Sequence, residues 1–185
     1  MPKLTCLLHT HNDAQWLGRA LQSLRPCDEV LVIDANSNDD TEKVARDHGA
    51  NFKKAIPGVT PGAYAMDAVH EWILCLRPNE SLSNDLEAAL LEWKEKDVGD
   101  DIPCFSVPIR QESEAGSEKL PPEVRLVNRK LMNWIGEMPP PDQACSTVLN
   151  GELLAFQEQS VLSSQHSAAQ LNAEADDLQL IQAES

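Results

Sequence analysis

Three short polar clusters hold most of the chemistry this chain can do: His9-Thr10-His11-Asn12-Asp13, Asp34-Ala35-Asn36-Ser37 and Arg77-Pro78-Asn79-Glu80. A desolvated carboxylate such as Asp34 only accepts hydrogen bonds, and it reads an N–H donor with charge-assisted strength. The hydroxyls and amides of Thr10, Asn12, Asn36 and Ser37 suit sugar hydroxyls and phosphate oxygens, and Arg77 adds a cation. Together the clusters fit a polar ligand with a base, a ribose and phosphates. His9 and His11 stand two apart on an extended segment, so both project to one side. With Asp13 they offer two imidazoles and a carboxylate to a transition metal, although no clear further ligand follows.

These groups matter only if the chain brings them together. Leu4 to Leu8 and Val30 to Ile33 are apolar runs that read as strands, and Trp72 to Leu76 is a third; each ends in one of the clusters. Runs apolar at every position fit strands covered on both faces, as in a parallel sheet, whose ligands sit beyond the carboxyl ends. Helices are expected after Asn12 or Asp13, with Trp16, Leu17, Ala20, Leu21 and Leu24 inward, and after Asp39 or Asp40, closing at His48-Gly49. A third follows Ser81 or Ser83, with Leu86, Ala89, Leu90 and Trp93 inward. A short strand is expected near Asn51 to Lys54, and one or two helical turns over Ala63 to Val69. Strand and helix alternate, which predicts right-handed β-α-β units. After Val98 the pattern changes: Cys104 to Ile109 reads as a strand, Gln111 to Pro122 as a polar loop, and Val124 to Val127 as a short antiparallel edge strand. The expected organisation is a single domain. Residues 1–98 form the ligand-binding half, 99–150 an extension on the acceptor side, and 151–185 an acidic Gln/Ser/Ala-rich tail, helical or disordered, that could dock a protein partner.

The chain has 185 residues, 42% apolar and 24% charged, with a formal net charge of −15. That charge excludes a nucleic-acid role built on phosphate neutralisation. It also means that a bound phosphate needs a local cation or a metal. The five cysteines show no Cys-x-x-Cys pair, and three read as small core residues in a reducing compartment. No signal peptide and no apolar run of about 20 residues is seen, so a cytoplasmic protein is expected. Gly-x-Ser-x-Gly and Gly-rich phosphate loops are absent, which removes serine hydrolase and P-loop readings.

In the order of its pieces, Lys3 to Lys96 resembles the nucleotide-binding half of a family 2 glycosyltransferase, near the branch acting on lipopolysaccharide core. Thr10-His11-Asn12-Asp13 stands where that family has a Thr-x-Asn-Glu type turn. Asp34 to Thr41 is similar to its Asp and Ser/Gly/Thr-Asp-Gly-Thr turn, and His48-Gly49-Ala50 also matches. The resemblance implies a three-layer α/β/α sandwich of the nucleotide-diphospho-sugar transferase (GT-A) type with a mostly parallel sheet. The implied donor is a nucleotide-sugar, most simply of UDP type. Asp34 would accept from the base imide, and Thr10, His11, Asn12, Asp13, Asn36 and Ser37 would lie by the ribose and diphosphate.

The chain departs from that family at three places. Where the family holds Mn²⁺ or Mg²⁺ with Asp-x-Asp, this chain has Arg77 and Asn79, leaving Glu80 as the nearby anion. The family's metal site is thereby lost, and Arg77 could pair directly with the diphosphate. Where a His-Glu pair should follow, Gly136 to Asp142 offers only Glu137 and Asp142 as bases. The Gly62 to Asp67 segment lacks the family's Gln, Arg and Asn. Two functions follow: transfer of a sugar to a hydroxyl, possible without a metal, or a catalytically inactive relative that keeps the fold to bind or scaffold. Trp16, Trp72 and Trp93 read as packing, and Trp134 as an acceptor-side contact.

Overall fold

The computed structural model describes residues 1–96, 98–99, 101–114, 116–141 and 147–157. The apolar runs form the centre of one eight-stranded sheet. β1 (Leu4–Thr10) lies between β2 (Glu29–Asp34) and β4 (Trp72–Leu76), parallel to both, and β3 (Asn51–Lys54) continues the parallel order beyond β2. Every residue of β1 and β4 is buried, as expected for strands covered on both faces.

Helix α1 (Ala14–Gln22) buries Leu17, Ala20 and Leu21 at helical spacing, and α2 (Thr41–Asp47) ends at Gly49, whose φ of +74° closes it. In α3 (Asn84–Glu95) the Ser83 hydroxyl accepts from the Leu86 N–H, as the sequence predicts. All three helices pack on one face of the sheet, over Leu4, Cys6, Leu8, Val32, Leu74 and Leu76. The opposite face, with Leu7, Leu31, Ile33, Ile73 and Cys75, is covered by a 3-10 segment (Pro61–Asp67) and by Met132 and Trp134. The second outer layer is therefore irregular rather than helical. It holds together because Gly62 N–H donates to the Ile135 carbonyl (3.1 Å) and Arg129 Nη1 to that of Ala65 (2.9 Å). A Cβ on Gly62 would lie 2.1 Å from the Trp134 oxygen, so this close approach needs glycine.

Three expectations are corrected. Gln111 to Pro122 is no loop: β6 (Cys104–Ser113) and β7 (Gly116–Asn128) pair as a long antiparallel hairpin. Val124–Val127 is the buried end of that long strand, and β7 lies beside β4 in the sheet interior rather than at its edge. Within the expected tail, Leu153–Phe156 forms β8, inserted between β6 and β5 (Glu80–Leu82), because its short apolar run buries Leu153. The order is β3-β2-β1-β4-β7-β6-β8-β5. Residues 158–185 lie outside the described part, as does the partner role expected of them. Cys6, Cys27 and Cys75 are free thiols, and burial pushes Cys75 up to about 12, so it is inert at neutral pH. Cys104 is in a disulfide, which departs from the expected set of reduced thiols. No helix among the described residues is long and apolar enough to cross a membrane.

Candidate functional site

The in-register parallel pairing of β1, β2 and β4 ends their apolar runs at one edge of the sheet. Just beyond it lies a cavity of about 330 Å³, at the small end of the ~300–1,000 Å³ range usual for ligand pockets. His9, Thr10, His11 and Asp13 reach it from β1, Ile33 and Ala35 from β2, and Arg77, Pro78 and Asn79 from β4. Tyr64, Val59 and Pro61 come from the irregular layer, and Glu137 from the segment after Trp134. The first and third clusters thus share one cavity, to which the second gives only Ala35; Asn12, Asp34, Asn36, Ser37 and Glu80 are not part of its wall. A larger open depression of about 660 Å³ around Lys3, His70 and Glu71 lies at the amino ends of the strands, away from these groups.

The first two clusters are stitched to each other. Ala35 N–H donates to the Thr10 carbonyl (2.8 Å), Asn12 N–H to Ser37 Oγ (2.8 Å) and Asn38 N–H to Asn12 Oδ1 (2.8 Å). Asn12 and Asn36 have φ of 58° and 65°, the left-handed region that asparagine tolerates better than most residues. His11 Nδ1 lies 2.8 Å from the Ala35 carbonyl, so Nδ1 carries the proton and Nε2 accepts from Asn12 Nδ2 (3.1 Å). Asp13 Oδ2 accepts from Thr10 Oγ1 (2.9 Å) and from His11 N–H (2.8 Å). Both histidines and Asp13 are spent on such bonds or buried. No group of three metal-ligating side chains is found among the described residues.

Asp34 is 2% exposed. Its carboxylate accepts from the Ser37 N–H (3.1 and 3.2 Å) and from the Ser37 hydroxyl, and its neighbours Ile33 and Ala35, not Asp34 itself, line the cavity. Asp39 is held below the usual carboxylate range, first by the Thr41 hydroxyl, against slight desolvation, and then by the N–H groups of Ala14 and Thr41.

At the end of β4 the charges are paired off. Glu80, 2% exposed, receives two hydrogen bonds of 2.8 Å from the fully buried Arg125 and two from Arg77, at 3.0 Å from its guanidinium and 2.9 Å from its backbone N–H. Arg125 also reaches Glu123 (2.9 Å), and Arg77 reaches it at 3.4 Å. Burial lowers the Arg77 guanidinium pKa, but the Glu80 and Glu123 carboxylates outweigh it and hold the group cationic. Asn79 Nδ2 donates to the Phe156 carbonyl (2.8 Å) and its own carbonyl accepts from the Phe156 N–H (2.9 Å), so it clamps β8. Glu137 is exposed at the cavity wall, and Asp142 lies outside the described residues.

Two residues were not singled out for this site by the sequence, and a third was placed in it with another role. Arg125 interrupts the apolar run Val124 to Val127, and a buried charge there signals a partner. Tyr64 is the sole tyrosine, and it lies edge-on to His9 with ring centroids 6.0 Å apart. His9, part of the first cluster and weighed by itself as a metal ligand, is 8% exposed, and burial lowers its pKa to about 4 against the opposing pull of the Pro61 backbone. Trp134, expected on the acceptor side, is buried in the irregular layer instead.

No family model matches the chain. An uncharacterized glycosyltransferase of Rickettsia felis is 34% identical over 91 residues, which are 47% of this chain and 32% of that protein. An uncharacterized glycosyltransferase of Rickettsia prowazekii is 32% identical over 91 residues, covering 47% of this chain and 31% of its own length. The chain thus spans about a third of the length of these curated relatives. Among solved structures, a mycobacterial protein overlays with a TM-score of 0.58 at 14% identity, covering 87% of this chain and 69% of that one. That overlap is a likeness of fold.

Proposed function

We propose that this chain is the nucleotide-sugar-binding unit of a GT-A type glycosyltransferase of the family 2 kind, moving a sugar from a UDP-type donor to a hydroxyl. The observation that carries this reading is the meeting of the first and third strand-end clusters, with Ala35 of the second, in one cavity at the carboxyl edge of a parallel sheet. The named relatives support it. The ribose lies by Thr10, His11, Asn12, Asp13, Asn36 and Ser37, with Asp34 bracing the turn beneath them. The diphosphate lies toward Arg77. During transfer the bond between the sugar's anomeric carbon and the phosphate oxygen breaks, and the acceptor oxygen forms the new bond as it gives up its proton. Glu137 is the cavity's exposed carboxylate placed to take that proton, with Asp142 nearby in sequence.

The donor set at Arg77, Asn79 and Glu80 does not fit Mn²⁺ or Mg²⁺: one group is a cation, one an amide committed to Phe156, and one a carboxylate committed to two guanidiniums. The transfer is therefore proposed to be metal-independent, with Arg77 supplying the positive charge for the leaving diphosphate. The same commitments favour a second reading, a catalytically inactive relative that binds or scaffolds.

Titration of UDP and GDP, with and without Mn²⁺, tests the binding claim. UDP binding that does not depend on Mn²⁺ and weakens roughly tenfold or more in Arg77→Ala is the expected result, since a charge-assisted hydrogen bond contributes about 1.5–3 kcal/mol. Release of UDP from UDP-sugars then separates the two readings: binding without turnover leaves the scaffold. No nucleotide binding under either condition overturns both.

A further inference from the structure

The cavity wall contains a hydrogen-bond acceptor and a donor that no other described residue uses. Burial keeps the His9 ring neutral at pH 7, and the Pro61 backbone beside it can only accept, since proline has no N–H of its own to offer. Nε2 is buried with no hydrogen-bond partner among the described residues, and in the neutral tautomer with its proton on Nδ1 it is a lone-pair acceptor. Such a buried, unsatisfied group on a site is costly unless a ligand completes it. Beside it, the Tyr64 hydroxyl accepts from the Ile56 N–H (2.6 Å), which leaves its own proton undonated. Both rings line the cavity, 8% and 4% exposed.

Asp34 faces differently. Its carboxylate oxygens are taken up by the Ser37 N–H and hydroxyl, and its side chain is not part of the cavity wall. The base of a nucleotide entering here therefore meets His9 and Tyr64 rather than Asp34.

We propose that His9 and Tyr64 read the base: a base N–H donates to His9 Nε2 and the adjacent base carbonyl accepts from the Tyr64 hydroxyl. This inference rests on the nucleotide-binding reading above and specifies its ligand. The pair selects bases that present an N–H next to a carbonyl, as in uracil, thymine and guanine, and rejects cytosine and adenine, which do not. The discrimination arises because a wrong base leaves buried polar groups unpaired on both sides. Nε2 is shielded from water, so the bond forms in a medium of low polarity, where it is stronger than in solution. Docking requires the two edge-on rings to part enough to admit the donor.

The test is calorimetric titration of the full chain at pH 7 with UDP, CDP, N3-methyl-UDP and pyrophosphate. The expected result is UDP bound at least about tenfold more tightly than CDP or N3-methyl-UDP. His9→Phe keeps the ring's bulk and is expected to bring UDP down to the level of CDP while leaving pyrophosphate unchanged. His9→Gln, which offers an acceptor again, recovers part of the preference, and Tyr64→Phe loses part of it. Equal binding of UDP and CDP by the wild type, or a preference that survives in His9→Phe, overturns this inference and leaves the nucleotide reading in place. Failure of UDP, CDP and pyrophosphate alike overturns that reading, and this one falls with it.

Discussion

The buried imidazole of His9 ties the stability of the fold to pH. Its pKa falls from 6.5 to about 4, chiefly through desolvation. Between these values the unfolded chain binds a proton that the folded chain does not, so stability rises with pH across the window. The contribution is complete above pH 6.5 and is lost as the pH falls toward 4. Acidifying from pH 7 to 4.5 is expected to cost the wild type about 2 kcal/mol more than His9→Phe, measured by urea unfolding at each pH. Parallel loss in the two proteins would show that His9 is not desolvated. At this scale the sequence identified the residue types at the site but not which of their atoms are spent. Thr10, His11, Asp13 and Arg77 all reach the cavity, while Asn12 does not line it. What could not be read was that Ser37 occupies Asp34 and Phe156 occupies Asn79, because those bonds depend on turn geometry and on a strand from far along the chain.

Among the elements, the parallel half was legible because strands covered on both faces are apolar throughout, and a helix of one-sided apolarity follows β1, β2 and β5. The hairpin of β6 and β7 was hidden for the opposite reason. Its outer part, Gly116 to Lys119, is exposed, so no apolar alternation marks it, and Pro121-Pro122 argues against a strand. Register shifts at Phe105/Ser106 and Val107/Ile109 further break the alternation. The joint between the two halves is the Glu80–Arg125 pair, which links the start of β5 to the interior of β7. Glu80→Gln removes one charge and leaves Arg125 buried with only Glu123 as a counter-charge. The expected destabilisation is about 3 kcal/mol, a fall in Tm of roughly 6–12 °C. Adding Arg125→Met, which removes the stranded charge, should recover much of that loss. An unchanged Tm in Glu80→Gln would mean that the pair contributes little to holding β5 and β7 together.

For the whole molecule, the net charge of −15 opposes the ligand that the cavity invites. A nucleoside diphosphate carries the same sign, and the cavity's one permanent cation, Arg77, is already shared between Glu80 and Glu123. Two electrostatic effects therefore compete. Long-range repulsion acts over about 30 Å at 10 mM salt and about 8 Å at 150 mM, so added salt suppresses it. A direct contact between Arg77 and the diphosphate, partly shielded from solvent, is screened far less. With so large a net charge and a single half-exposed cation, the long-range effect should prevail. UDP is thus expected to bind a few-fold more tightly, with a faster on-rate, at about 150 mM NaCl than at about 10 mM. Stopped-flow and equilibrium titration at the two salt concentrations measure it. Binding that weakens steeply with salt would instead place the diphosphate among several basic side chains, an arrangement incompatible with Arg77 acting alone at the end of β4.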